Sequence, residues 1–435
     1  MTTGPIEPEP PSKPRSRLPK GLSAFRHYNF TVFWLGMLVS LIGTWMQQIG
    51  QAWLVLQLTA DPLALGMVAA AQFAPVLVLG LFGGIVADTV SKRKALMVTQ
   101  VAAGVLALIL GVLTASGVVE VWHVFVLALA LGVVNSFDMP IRQSFVVEMV
   151  GREDIANAVA LNSAVFNGSR IVGPAIAGVA IAIIGLAPLF FVNALTYVAV
   201  VISILLMRTN ELYPSARMVI ERNVRSVVDR LVEGLRYTRR DEAIFLAIST
   251  LTFVSIFALN FSVLIPLVAR DVLGGQADTY GFLMAASGAG SLLSALSIAF
   301  GGRPTMPRLL LGAFAIGLAM FGLGISRSVP VSMALMFLAG WGTIAMAATA
   351  NTLIQLRTPD ELRGRVMSVY TTAFAGSTPV GGIFTGIVAS VGGAALAASL
   401  GGILAMIVAV MGFLRMPARP EIRSLPTLAR RYGRR

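Results

Sequence analysis

The chain contains no cysteine, so disulfides, a thiol nucleophile and thiolate metal sites are all excluded. Histidine is nearly as scarce. His27 and His123 fall near the ends of predicted helices and far apart, which reads as two structural residues rather than a metal site. Charged residues make up only 12% of the chain, about half of what a soluble protein carries. No G-x4-G-K-[ST] run occurs, so the chain supplies no phosphate cradle for ATP. No nucleophile–base pair or metal cluster is visible either, which argues against an enzyme and leaves no cofactor implied. Short alternating segments, the mark of a membrane β-barrel, are also missing.

What is abundant is apolar sequence, at 56% of residues with a mean hydropathy of +0.82. The apolar residues come in long uncharged runs at approximately 30–57, 63–87, 95–115, 120–147, 155–184, 187–207, 242–269, 279–301, 307–326, 330–356, 361–390 and 393–415. Each is long enough to cross a bilayer as a helix. The spacing predicts an all-α polytopic membrane protein with twelve transmembrane helices in two six-helix bundles. The bundles are 25–207 and 242–415, joined by a polar connection at 208–241. Residues 1–24 carry six prolines and read as a disordered cytoplasmic tail; 416–435 read as a basic one.

The net charge of +13 follows this topology rather than a nucleic-acid partner. With the N-terminus inside, 29 of the 33 Lys and Arg fall in inner segments. Only Arg270 and Arg327 fall outside, and Arg142 and Arg170 lie within spans. Basic loops are retained on the cytoplasmic side, so both termini and the 208–241 loop are expected there, in a cell-membrane protein. Within that loop Val224, Val227, Val228, Leu231 and Leu235 form an apolar stripe at helical spacing. The stripe fits an amphipathic helix lying along the inner surface.

The two halves resemble one another. A slide of 215 residues sets Gly66 on Gly281 and Arg93 on Arg308. A slide of 207 sets the stretch beginning at Arg152 on the one beginning at Pro359. Parallel six-helix repeats of this kind suit a central site between the halves.

Three sets of residues are candidates for chemistry. Asp138 and Arg142 stand one turn apart in span four, with Pro140 between them, and Arg170 lies near the middle of span five. Intramembrane charges demand partners and mark function, so these three form a candidate coupling network; the alternative is that they only hold spans four and five together. Gln47 and Gln51 in span one, Asn162 and Asn167 in span five, Asn260 in span seven and Asn351 in span ten either line a wet cavity or bond a neighbouring helix. Trp45, Phe257, Phe261, Trp341, Tyr370 and Phe374 are candidates for an aromatic wall of that cavity.

Gly84-x3-Asp88-x4-Arg93-Lys94, between spans two and three, resembles the signature of the major facilitator superfamily. So does the arrangement of twelve spans as six plus six with a charged middle loop. The resemblance implies that Gly84, Asp88 and Arg93 form a latch between the halves. Span eleven is expected to start at Thr358-Pro-Asp-Glu361, so its N-terminus would suit the Asp88 carboxylate. Gly364 would let the helices approach, and Arg93 would meet Asp360 or Glu361. In span five, Gly173-Pro174 and Gly178 resemble the motif associated with antiporters, with Ser169 and Ala177 in place of two glycines. Phe137–Gln143, Asn157–Ser163 and the opening Phe25–Phe30 narrow the match to the exporter branch that includes the enterobactin exporter and related secretion effectors. The resemblance implies a secondary active exporter of amphipathic, drug- or siderophore-like molecules by proton antiport. Its expected partners are a small-molecule substrate, protons and the lipid bilayer, and it is expected to act as a monomer. Import of a metabolite and a non-transporting scaffold or sensor remain the rival readings.

Overall fold

A computed structural model describes residues 20–213, 224–300 and 304–416. The side chains of 81–89, among them Gly84 and Asp88, and those of 224–230 and Asp360 lie outside the described residues.

The N-terminal half contains α1 (Tyr28–Leu58), α2 (Pro62–Thr89), α3 (Lys92–Ala115), α4 (Val121–Val150), α5 (Ile155–Ile184) and α6 (Leu186–Leu205). The connection contributes α7 (Val224–Arg240). The C-terminal half contains α8 (Glu242–Ala258), α9 (Phe261–Leu267), α10 (Ala277–Ala299), α11 (Met306–Ile325), α12 (Val329–Arg357) and α13 (Asp360–Leu414). Among the described residues, eleven runs are long and apolar enough to cross a membrane, and α13 is two spans in one. Gly393 divides it, at φ 79° and ψ 170°. The total is the expected twelve.

The same device ends α5. Gly185 takes φ 81° and ψ −175° between α5 and α6, the pseudo-equivalent point of the other half. That backbone region is essentially closed to residues with a Cβ. Each half therefore turns its fifth span into its sixth on a single glycine, without a loop.

Span seven is interrupted. Asn260 lies between α8 and α9, and its amide donates to Ile256 O at 2.7 Å. A side chain that bonds its own helix competes with the backbone ladder. Pro266 removes a further donor, and a π-turn follows at Val268–Val272.

Two departures from the sequence reading concern segments outside the spans. Residues 20–24 are not a free tail: Lys20–Arg26 forms a 3₁₀ segment docked on the start of α5. The α7 helix does not simply lie along the membrane. It packs on α13 and α8, with Gly234 against the Arg365 backbone and an ion pair between Arg365 and Glu233. Leu231 joins the C-terminal core and Thr238 is buried, while Leu235 stays exposed. An apolar stripe needs an apolar partner, and the end of a helical bundle serves as well as lipid.

The face with the α1–α2, α3–α4 and α5–α6 turns carries few cations, and the opposite face carries many. One buried core joins the halves at the charge-poor face. It runs from Ile49, Leu54 and Val55 of α1 and Ala177 and Ile181 of α5 to Val263, Leu264, Ala277 and Tyr280 of the other half. At the charge-rich face the N-terminal half has its own core, built on Phe30, Phe33, Ile141, Phe145 and Ile204, with no member from the C-terminal half among the described residues. Among the described residues the halves thus share a core at one face and have separate cores at the other.

Candidate functional site: the cleft between the halves

Two helix pairs close the charge-poor face, α2 against α13 and α5 against α10. Both rest on glycine. A Cβ on Gly66 would sit 2.4 Å from Gly382 O, and one on Gly281 would sit 2.5 Å from Pro174 O. Either would force the helices apart. The two glycines that match on sliding the halves are thus the contact points of pseudo-equivalent pairs. Arg270 adds a polar contact at this face, its guanidinium donating to Leu56 O at 3.1 Å. That carbonyl lies in the last turn of α1, where helices leave acceptors unsatisfied.

Toward the charge-rich face the cleft is lined by the faces of α5 and α13 left between their neighbours. On α5, Gly173 turns to α1, where a Cβ would lie 2.5 Å from Trp45 Cβ. Pro174 and Gly178 turn to α10, with a Gly178 Cβ 3.0 Å from Ala277 O. At about 100° per residue, Arg170 points between these two directions, and so do Val159, Ser163 and Phe166. Val159 and Phe166 are 53% and 44% exposed, Ser163 is exposed, and Arg170 is partly buried. Trp45 flanks the row: its ring meets Phe166 edge to face at 5.8 Å, and the Arg170 guanidinium lies over it at 5.9 Å. Arg170 Nε is buried without a hydrogen-bond partner among the described residues.

The α13 face is built alike. Gly382 and Gly386 turn to α2, and Gly381 turns to Ile256 of α8 and to Asn260 just beyond it. Thr371, Phe374 and Thr378 fall between these directions by the same rotation, the first two exposed. Gly364, further toward the charge-rich face, has open space where a Cβ would stand.

The candidate network is only partly assembled. Asp138 is buried with 2% of its side chain exposed, and it forms an ion pair with Arg142. Its other oxygen accepts from Thr99 Oγ1 at 2.7 Å and Gln100 Nε2 at 2.8 Å. Both donors are on α3, so Asp138 holds spans three and four and faces away from the cleft. Arg170 is not its partner. On a helix, four residues set Asp138 and Arg142 together, while Arg170 depends on how α5 is rotated, which no spacing in the sequence fixes.

The cavity set divides likewise. Trp45 borders the cleft, and Asn162 and Asn167 flank its α5 face, Asn167 bonded to Ser163 O at 2.8 Å. Gln47 and Gln51 are buried within the N-terminal half instead: Asn193 donates to Gln47 Oε1 at 2.6 Å, and Gln51 donates to Gln72 at 3.3 Å. Asn260 bonds its own helix, and Phe261 is in the core with 6% exposure. Tyr370 is buried and donates to Ala347 O at 3.2 Å, next to Asn351, which accepts from Gln355. Trp341 is partly buried, its backbone against Gly290 of α10. Polar groups in a membrane find protein partners first, which takes Gln47, Gln51, Asn260 and the Tyr370 phenol out of the cleft.

Of the expected latch, Arg93 does not reach Glu361. It donates to Ile204 O at 3.0 Å and Leu205 O at 3.4 Å, satisfying the end of α6 in its own half. Glu361 is exposed. With the halves apart at this face, the Arg93 guanidinium takes the nearest orphan carbonyls. Sequence reasoning passed over Ser163, Phe166, Thr371 and Thr378. Their signal was the helical row running back from a glycine that packs on a neighbour, legible only once the neighbour is known.

Comparisons with known proteins agree with this architecture. Over 358 residues the chain is 30% identical to the multidrug efflux pump Tap of Mycolicibacterium fortuitum, covering 78% of this chain and 84% of the pump. It is 23% identical over 375 residues to the staphyloferrin A transporter of Staphylococcus aureus, covering 83% and 90% of the two chains. A bacterial homologue of the human lysosomal transporter Spinster shares the fold at a TM-score of 0.71 and 13% identity, over 92% of this chain and 99% of that one. A point mutant of the nucleoside transporter NupG gives the same TM-score and identity over 91% and 100%. Residues 20–429 match the transmembrane secretion effector family, and the chain belongs to that family of major facilitator membrane transporters.

Proposed function

We propose that this transporter is a secondary active exporter of amphipathic organic molecules, drug- or siderophore-like, working by alternating access. The observation that carries the reading is the division of the core: among the described residues the halves share one at the charge-poor face and have separate ones at the other. A cleft open at one face, closed by two pseudo-equivalent glycine contacts at the other, is half of an alternating-access cycle. The relative named a multidrug efflux pump supports the direction.

The cation asymmetry supports an orientation with the charge-rich face and both termini in the cytoplasm, in the cell membrane. The structure then corresponds to the inward-open state, which loads substrate for export. The cleft wall pairs aromatic groups (Trp45, Phe166, Phe374) with hydroxyls (Ser163, Thr371, Thr378), chemistry suited to amphipathic bodies. In the opposite state the charge-rich face closes, bringing the Asp88 loop toward the start of α13; this is where the latch of Gly84, Asp88, Asp360, Glu361 and Gly364 would act.

Proton antiport is the drive we propose, by a monomer. Asp138 loads a proton only if Arg142 leaves it, since neutralising the carboxyl strands a buried cation. Coupling through this pair therefore requires α4 to rearrange between states. The test is flux in proteoliposomes of known orientation, with a pH-sensitive dye inside and a panel of lipophilic cations, aromatic carboxylates and neutral amphipaths. Substrate movement from the charge-rich to the charge-poor side, with protons moving the other way, is expected. Movement only in the reverse direction would make it an importer, and no movement with folded protein would make it a non-transporting scaffold or sensor.

A further inference from the structure

Two arginines lie deep within spans, and only one has a carboxylate. Arg142 is paired with Asp138, whose remaining oxygen is occupied by Thr99 and Gln100. For Arg170 the described residues supply none. Across the cleft the acids of the C-terminal half, Glu242, Asp271, Asp278, Asp360 and Glu361, all stand at helix ends. A guanidinium stays charged in any protein environment. Here its contact is the Trp45 ring at 5.9 Å, and among the described residues its Nε is buried without an acceptor.

Arg170 is the middle residue of a 30-residue helix, about 20 Å from either end. A lipid headgroup at the membrane surface stays outside a hydrocarbon core about 30 Å thick, so it does not reach that depth. The anion that completes the site must come along the cleft. We propose that Arg170, Trp45 and Phe166 form an anion-recognition site for amphipathic substrates carrying a carboxylate. The carboxylate takes the guanidinium edge in a bidentate pair, and the aromatic or apolar body lies along Phe166 toward Val159. This rests on the cleft being the substrate path, as proposed above. The site also adjoins the closing contact: a Cβ on Gly288 of α10 would lie 3.0 Å from the Arg170 carbonyl. Ligand therefore binds where α5 and α10 begin to part.

The test uses the full chain in nanodiscs of phosphatidylcholine, so that no anionic lipid competes. 1-Pyrenebutyrate and its uncharged primary amide are titrated by calorimetry. Wild type is expected to bind the carboxylate at least tenfold tighter than the amide. Arg170→Gln should bring the ratio close to one with amide affinity unchanged, Arg170→Lys should keep part of the preference, and Phe166→Ala should weaken both probes equally. Neutralising a lone buried charge relieves its desolvation, so Arg170→Gln should fold; Arg170→Met is a second neutral variant. Equal binding of the two probes, no binding of either, or a preference that survives both neutral variants overturns the site. Efflux of a neutral amphipathic dye from proteoliposomes reads the export proposal separately. Dye efflux without carboxylate preference leaves export standing and removes this site. Carboxylate preference without transport of any probe does the reverse.

Discussion

Asp138 is held by one cation and two neutral donors, all inside the N-terminal half. Asp138→Asn leaves Arg142 with no counter-charge at a buried site, a change that costs about 3–5 kcal/mol. We expect a clear fall in the unfolding midpoint in detergent, partly recovered in Asp138→Asn/Arg142→Gln, which removes both charges. If instead the single variant melts like wild type yet loses proton-coupled transport, the carboxyl serves coupling and not scaffold. Charge alone does not decide between these roles, and the melting curve does.

At the scale of the element, the 3₁₀ segment is clasped to α5. Ser23 Oγ donates to Asp154 at 2.6 Å, His27 Nε2 lies 2.8 Å from its other oxygen and Arg26 Nε 3.6 Å away; the Ala24 amide donates to Asn157. Burial alone would raise the Asp154 carboxyl, but the hydrogen bonds from Ser23 and His27 and the charge of Arg26 outweigh it and hold it below the ordinary 3.8. A carboxyl lowered in the folded state contributes stability that is complete above the unfolded value and is lost as pH falls through the folded one. Asp154→Asn should therefore lower the unfolding midpoint by a few degrees at neutral pH, and the gap from wild type should close below about pH 3.8. Hydrogen exchange of residues 20–27 should rise in the variant at neutral pH. Unchanged exchange would show that the segment is held by its apolar contacts, Ala24 and Phe30, alone. The gating helices carry a second prediction. Gly66→Val and Gly281→Val each place a side chain where the neighbouring backbone stands. The double variant should shift the population away from closure at the charge-poor face. Spin labels at the exposed Ser91 and Ser368 report it as a shorter distance by pulsed dipolar spectroscopy. An unaltered distribution means these glycines do not set the equilibrium.

For the molecule as a whole, orientation is the property on which direction rests. The absence of cysteine makes labelling simple. Single cysteines at the exposed Asp61, Ser116 and Asp271 should react with an impermeant thiol reagent from outside right-side-out cells. Those at the exposed Ser91 and Glu211 should react only after permeabilisation. The reverse pattern would invert the molecule and turn the open cleft outward.

Much of this architecture was legible from the chain alone. Hydrophobic runs fix which residues cross the membrane, because backbone polar groups in lipid must close on themselves within a helix. Cations fix the contrast between faces. The slide of Gly66 on Gly281 marked the two pseudo-equivalent contacts without showing what they touch. Glycine at 185 and 393 was there to be read, but its role as a loopless turn came from backbone angles.

The site was less legible, because it depends on rotation. Gln47, Gln51, Asn260 and Tyr370 have the composition of a wet cavity, yet they are bonded within their own halves. Phe166 and Ser163, ordinary in sequence, border the cleft. Asp138 and Arg142 were placed together by helix periodicity, a local rule. The separation of Arg170 from them is a matter of how α4 and α5 turn against their neighbours, and that is set by packing between helices distant in sequence. The spans, the two faces and the repeat can be read from the chain alone, since each follows from residues counted along it. Which faces meet, and so which buried charge has no partner among the described residues, depends on how distant helices pack.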